Sequence, residues 1–159
     1  MHPAGLEETV VDTQVNGATM NGTMNGHMNG HMNGSETVSA DIDDGEVSRI
    51  VELITKYNIQ GIIISNTTDS NRENLSDIKK NEIGGLSGQP LKDISTNLIK
   101  KFYKDTKGRI RIIGVGGVDS GQSAFEKITA GADAVQLYTG MVYKGPGIVK
   151  NIKKELISI

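Results

Sequence analysis

The sequence predicts an α/β fold: the last three strands of a (β/α)8 TIM barrel with their helices, behind a disordered N-terminal tail. Three observations predict it. Helix-like and strand-like segments alternate strictly across residues 41–159, and such alternation implies parallel strands joined by helical crossovers. The run Gly61-Ile62-Ile63-Ile64 is apolar and β-branched after its glycine, which suits a strand buried on both faces. The last two strands each end in a glycine-bearing turn, where β/α barrels place phosphate sites.

The tail comes first. Residues 19–34 read TMNG-TMNG-HMNG-HMNG. Asn and Gly favour turns, and Asn-Gly in every repeat makes a helix too costly. Residues 1–40 are therefore expected to be disordered. His27 and His31 have no third ligand in the repeat, so no metal site is expected. Residues 1–46 also hold eight of the 19 acidic residues and none of the 17 Lys and Arg. An acidic arm thus precedes a basic remainder. There the bases alternate with acids along helical stretches and read as solvated faces. A nucleic-acid partner is not expected, whereas a small anionic ligand fits. The chain has no cysteine, which excludes disulfides, thiolate metal sites and cysteine nucleophiles. No apolar run approaches the ~20 residues that span a bilayer. The acidic, Arg-free N-terminus matches neither a secretory signal nor a mitochondrial transit peptide.

Order is expected from about Asp43-Asp44, either of which can cap a helix carrying Val47, Ile50, Val51 and Ile54 at i, i+3, i+4 and i+7. The first strand, Gly61 to Ile64, ends at Ser65-Asn66-Thr67-Thr68. A long polar loop then runs to Ile83, followed by Gly84-Gly85-Leu86-Ser87-Gly88. The second helix spans Leu91 to Lys104, with Leu91, Ile94, Leu98 and Phe102 on one face. Ile110 to Val115 is the second strand, leading into Gly116-Gly117-Val118-Asp119. A third helix is expected to point Phe125 and Ile128 inward and to stop at Gly131. The third strand is Ala134 to Tyr138. After Thr139-Gly140 and Lys144-Gly145-Pro146, the last helix buries Ile148, Ile152 and Leu156.

The chemistry is expected at the C-terminal ends of these strands. Glycine lets backbone N–H groups approach an anion closely. Either Gly116-Gly117 or Tyr138-Thr139-Gly140 alone reads as an ordinary tight turn. Two such turns at neighbouring strand ends point to a phosphorylated ligand. Ser65 to Thr68 offer an amide and three hydroxyls, which recognise a polar ligand and do not readily abstract protons.

Four segments, SNTT, GGLSGQPL, IIGVGGVDSG and VQLYTGMVYKGP, follow one another between Asn66 and Pro146 or begin just before. In order and spacing they resemble class 2, quinone-dependent dihydroorotate dehydrogenases, and the resemblance runs from Asp44 to Leu156. GGLSG-x-PL and KGP favour this class over other flavin barrels, and without cysteine no iron–sulfur cluster is bound directly. The resemblance implies a flavin (FMN) barrel that oxidises (S)-dihydroorotate to orotate in pyrimidine synthesis and passes electrons to quinone. It implies that Ser65 contacts FMN, that Gly88 lies against it, and that Gly117, Tyr138 and Thr139 hold its phosphate. Asn66 and Thr67 would hydrogen-bond orotate. The family's base and its flavin-contacting lysine come from earlier strands, and no segment here matches them, so no catalytic residue is assigned.

The family is peripheral to the bacterial cytoplasmic or mitochondrial inner membrane. The membrane-contacting helices have no counterpart in this sequence, so this chain is expected to be soluble. A complete barrel takes ~250 residues, so five strands are expected to be missing. Such a piece leaves two strand edges unpaired. The expectation is a marginally folded or aggregating chain, or one that pairs with itself or with a complementary barrel half. A non-catalytic half-barrel that binds phosphate or flavin is the alternative function.

Overall fold

The structure is a computed structural model that describes residues 35–159 except 71 and 74. The repeats at 19–34, with His27 and His31, lie outside the described residues. The strands and helices are β1 (Ser35–Val38), α1 (Asp44–Tyr57), β2 (Gly61–Ile64), α2 (Lys92–Thr106), β3 (Arg111–Val115), α3 (Gly121–Thr129), β4 (Ala134–Gln136), α4 (Thr139–Lys144) and α5 (Ile148–Ser158). All strand pairs are parallel, in the order β1-β2-β3-β4. The α/β class with a parallel sheet therefore holds, with four strands rather than three. The added strand, Ser35–Val38, falls inside the stretch expected to be disordered. Its register pairs Val38 with Ile64 of β2, and that partner lies too far along the chain for local patterning to reveal the strand.

Local chemistry explains the helix ends. Asp43 accepts the Glu46 N–H at 2.8 Å, while Glu46 accepts the Asp43 N–H at 2.9 Å. This reciprocal cap satisfies two amides that a helix start leaves unpaired. Asn58 closes α1 in the left-handed conformation, at φ 53°. Ser120 and Ser123 form the corresponding cap on α3.

One face of the sheet meets the helices. Ile62, Ile64 and Ile112 pack with Val47 and Ile54 of α1 and with Leu98, Ile99 and Phe102 of α2. Ile63 and Ile113, on the other face, are only half-buried. The expectation that β2 is buried on both faces thus holds on one, because the described helices cover one. A second cluster joins Val118, Ala124, Ile148 and Ile152.

Two further expectations are corrected. Phe125 and Ile128 do not point inward; they are 40% and 36% exposed. The buried face of α3 carries Gly121, Ser123, Ala124 and Lys127. Small side chains let the helix approach its neighbours closely. A Cβ at Gly121 would come within 2.3 Å of Glu155 Cβ on α5. Phe125 instead flanks a surface groove with Asp93, Thr96 and Lys100 of α2. The last strand ends at Gln136 rather than Tyr138, because Tyr138 turns the chain into α4.

Candidate functional site

In a parallel sheet every strand presents its C-terminal end on the same edge. Here Val38, Ile64, Val115 and Gln136 reach that edge together, and all seven residues singled out from the sequence follow one of these strands or sit in the loop that folds over them.

Behind β2, the Asn66 N–H donates to the Val38 carbonyl at 2.8 Å, which fixes the turn on β1. The buried Ser65 hydroxyl donates to the Asn66 carbonyl at 3.0 Å. Asn66 Oδ1 accepts the Thr67 N–H at 2.8 Å. The glycine loop lies on this turn. Thr68 and Leu86 exchange backbone hydrogen bonds at 3.1 and 2.7 Å. A Cβ at Gly85 would overlap Thr67 Oγ1 at 1.8 Å, so only glycine permits that approach.

The same loop reaches the β4 turn. Thr139 Oγ1 donates to Ser87 Oγ at 2.9 Å, and a Cβ at Gly88 would lie 3.0 Å from Thr139 Cγ2. It also reaches the β3 turn, since Gln89 Nε2 donates to the Gly117 carbonyl at 3.3 Å. The β3 and β4 turns touch each other directly. A Cβ at Gly140 would stand 2.7 Å from the Val118 carbonyl oxygen, and Lys144 Nζ donates to the Asp119 carbonyl at 2.9 Å. Ser65, Asn66, Thr67, Gly88, Gly117, Tyr138 and Thr139 thus belong to one connected corner. The link from Asn66 to Gly117 runs through residues 85–89.

Among the donors of this corner that have no protein acceptor among the described residues are the backbone N–H groups of Gly116, Gly117, Tyr138 and Thr139. Gly116 and Gly117 are nonetheless buried, at φ 102° and 70°. Buried amides normally find a partner, so an anionic ligand fits there. The Tyr138 side chain is 78% exposed; its contribution to the corner is through its backbone.

Sequence reasoning missed the groups that brace the site, because their partners are far away in the chain. Asp41 accepts from the Thr68 hydroxyl, the Ser70 hydroxyl at 2.7 Å and the Asp69 N–H at 2.8 Å. Burial pushes its carboxyl up, but these donors outweigh burial and hold it below the usual carboxylate range. A lowered folded-state value contributes stability above the ordinary carboxylate range that is lost as pH falls through the folded value. Asp41→Ala is expected to lower unfolding free energy by about 1 kcal/mol at neutral pH, a charged hydrogen-bond contribution discounted for exposure. The difference from wild type should vanish in acid, and melting temperature against pH measures it. Arg72 clamps the long loop by donating to the carbonyls of Asp69, Lys80, Glu82 and Gly84. Lys127 is fully buried.

A hollow of about 540 Å³, lined by Asn58, Gln60, Arg109 and Arg111 among others, lies at the opposite ends of β2 and β3, away from this corner. Among the described residues no group of three or more His, Cys, Asp or Glu is placed to hold a metal ion.

The sequence profile of the family described as dihydroorotate dehydrogenase matches residues 37–159. A mitochondrial dihydroorotate dehydrogenase (quinone) of Mus musculus is 46% identical over 119 residues, covering 75% of this chain and 30% of that protein. The dihydroorotate dehydrogenase (quinone) of Trichodesmium erythraeum is 44% identical over 128 residues, 76% of this chain and 34% of the relative. The crystal structure of DHODH from Eimeria tenella in complex with ferulenol superposes with a TM-score of 0.75 at 39% identity. That match covers 77% of this chain and 32% of the solved chain. This chain therefore spans about a third of the length of the curated relatives it matches.

Proposed function

The chain belongs to the dihydroorotate dehydrogenase family, and from that premise we propose that it carries the FMN-phosphate and orotate-binding part of an enzyme oxidising (S)-dihydroorotate to orotate in pyrimidine biosynthesis, with quinone as electron acceptor. The observation that carries the reading is the corner itself, where unpaired amides of neighbouring strand-end turns sit beside a hydroxyl-rich turn.

In this reading the amides of Gly117, Tyr138 and Thr139 hold the FMN phosphate, with Gly116 alongside. Oriented amide donors at glycine turns are suited to a phosphoryl group. Ser65 and Gly88 lie against FMN; Gly88, at φ 80°, holds a conformation that favours glycine and carries no side chain to keep a ligand away. The Asn66 side chain and Thr67 hydrogen-bond the orotate ring and carboxylate. Bound FMN supplies the hydride acceptor. No residue here is assigned as catalytic base. Ser65 donates to a carbonyl and Ser87 accepts from Thr139, and neither contact makes a serine more basic.

Quinone use implies work at a membrane surface, bacterial or mitochondrial. Among the described residues no helix is long and apolar enough to cross one. The outer edges of β1 and β4 carry no further strand among the described residues. Unpaired parallel edges invite strand addition, so we assign them to complementary barrel strands, from elsewhere in the same protein, from another chain or from a second copy. Mass measurement in solution separates these: a strict monomer excludes the second copy.

The test of function is FMN titration of the full chain followed by addition of dihydroorotate. Quenching of flavin fluorescence is expected. Bleaching on dihydroorotate addition marks the full reaction, and binding without bleaching marks the non-catalytic half-barrel. Absence of FMN binding contradicts the proposal.

A further inference from the structure

Lys127 has no exposed surface, yet no carboxylate lies within ion-pairing distance of it among the described residues. Its Nζ donates to Ser95 Oγ at 2.9 Å, Thr96 Oγ1 at 3.2 Å and the Lys92 carbonyl at 3.4 Å. An ammonium has three N–H donors, so all three have partners and every partner is neutral. The adjacent Glu126 is taken by Lys92, whose Nζ lies 3.1 Å away. A buried charge satisfied in hydrogen bonds but not in charge is expensive to keep. A methionine of similar length would fill the same space against Gly114, whose Cβ position lies 3.1 Å from Lys127 Cδ, without burying a charge.

The position of the ammonium supplies a reason. Ser95 accepts from Lys127 and donates to the carbonyl of Val115. That carbonyl belongs to the same peptide unit as the Gly116 N–H, the first unpaired donor of the β3 turn. On the other side, Gly117 rests on Lys92, with its would-be Cβ 2.4 Å from Lys92 Cβ. The Lys92 carbonyl is a further acceptor of the Lys127 ammonium. The turn that the proposed function gives to the phosphate is therefore backed by a buried cation, one hydroxyl away. A hydrogen bond to a peptide carbonyl polarises that peptide and strengthens its N–H as a donor, and chains of such bonds reinforce one another.

We propose that Lys127 is a positioning residue for phosphoryl binding: a buried countercharge that acts through Ser95 and the Val115–Gly116 peptide on the phosphate of the flavin nucleotide, without touching it. The proposal rests on the phosphate site described above. The charged groups facing Lys127 are Glu126 on its own helix and Asp93 and Lys92 on α2, while β3 presents Gly114 to its stem. Burial lowers the ammonium to about 8 despite the opposing pull of Glu126 and Asp93. A bound phosphate dianion favours the charged form and raises that value again. Affinity for the phosphorylated ligand is then highest where Lys127 is charged and declines as pH rises through about 8.

The experiment compares FMN with riboflavin, which lacks the phosphate, on the full wild-type chain and on Lys127→Met. FMN affinity is expected to fall about tenfold in the variant, an attenuated charge–charge effect across the turn. Riboflavin affinity should stay unchanged and the melting temperature should be kept or raised. In wild type the FMN-to-riboflavin affinity ratio should decline between about pH 7 and about pH 9.5, and in Lys127→Met it should be flat. Equal losses for both ligands, or a wild-type ratio independent of pH, overturn the role of Lys127. A wild-type chain that does not prefer FMN over riboflavin overturns the phosphate site itself, and this proposal with it. The wild-type pH series stands even where the variant expresses poorly.

Discussion

Gly117→Ala is expected to weaken FMN binding at least tenfold and to destabilise the chain by about 2–4 kcal/mol, the sum of overpacking and left-handed backbone strain. Gly117 has φ 70°, where an L side chain is strained. Its new methyl would stand 2.4 Å from Lys92 Cβ and 2.7 Å from Lys92 Cα. The second of these is backbone at the start of a fifteen-residue helix, so the turn must move rather than the helix. Movement takes the Gly116 and Gly117 amides away from where a phosphate would sit. Losing one charge-assisted hydrogen bond costs roughly 1.5–3 kcal/mol, or ten- to a hundredfold in affinity. Gly145→Ala is the control. It also has positive φ, 72°, but nothing lies within 4 Å of its would-be Cβ. It should show only the backbone strain, about 1–3 kcal/mol, with FMN affinity kept. Calorimetric titration with FMN and chemical denaturation of both variants measure the difference.

Phe102→Ala is expected to reduce unfolding free energy by about 3–5 kcal/mol, the usual range for removing a buried phenyl ring. Phe102 has no exposed surface and sits among Leu98, Ile99, Ile62 and Ile112. It is the largest fully buried side chain among the described residues, and it joins α2 to the sheet. A small domain has only about 5–15 kcal/mol of stability in total. With the outer edges of β1 and β4 unpaired among the described residues, little is held in reserve, so this variant is expected to be largely unfolded or aggregated at 37 °C. Far-UV circular dichroism against denaturant measures the loss, and a change below about 1 kcal/mol would place Phe102 outside the cooperative core.

Much of this architecture is legible in the sequence because it is written locally. The Asp43–Glu46 cap, the Val47-Ile50-Val51-Ile54 stripe and the Ile62-Ile63-Ile64 run each depend on neighbours within one or two turns. Gly116-Gly117 is legible as a strand-end turn for the same reason. What was not legible depends on distant partners. β1 is four residues long and follows a low-complexity repeat, and its identity lies in pairing with β2. Phe125 and Ile128 look like core residues by size, but close approach of α3 to α5 selects the small face with Gly121 and Ala124 instead. Residues 139–144 form a single short helix that no periodicity reveals. Asp41 and Lys127 find their partners 27 or more positions away. In the sequence alone they read as one more surface acid and one more surface base.

The most direct test follows the backbone amide resonances of the full chain as FMN is added. Gly116, Gly117, Tyr138 and Thr139 should shift together, and riboflavin should leave them largely unmoved, because only the phosphate reaches them. Orotate added next should move Asn66 and Thr67. Shifts centred on Arg109 and Arg111 at the far end of the sheet, or equal responses to FMN and riboflavin at Gly117, would contradict a phosphoryl group bound between the β3 and β4 turns.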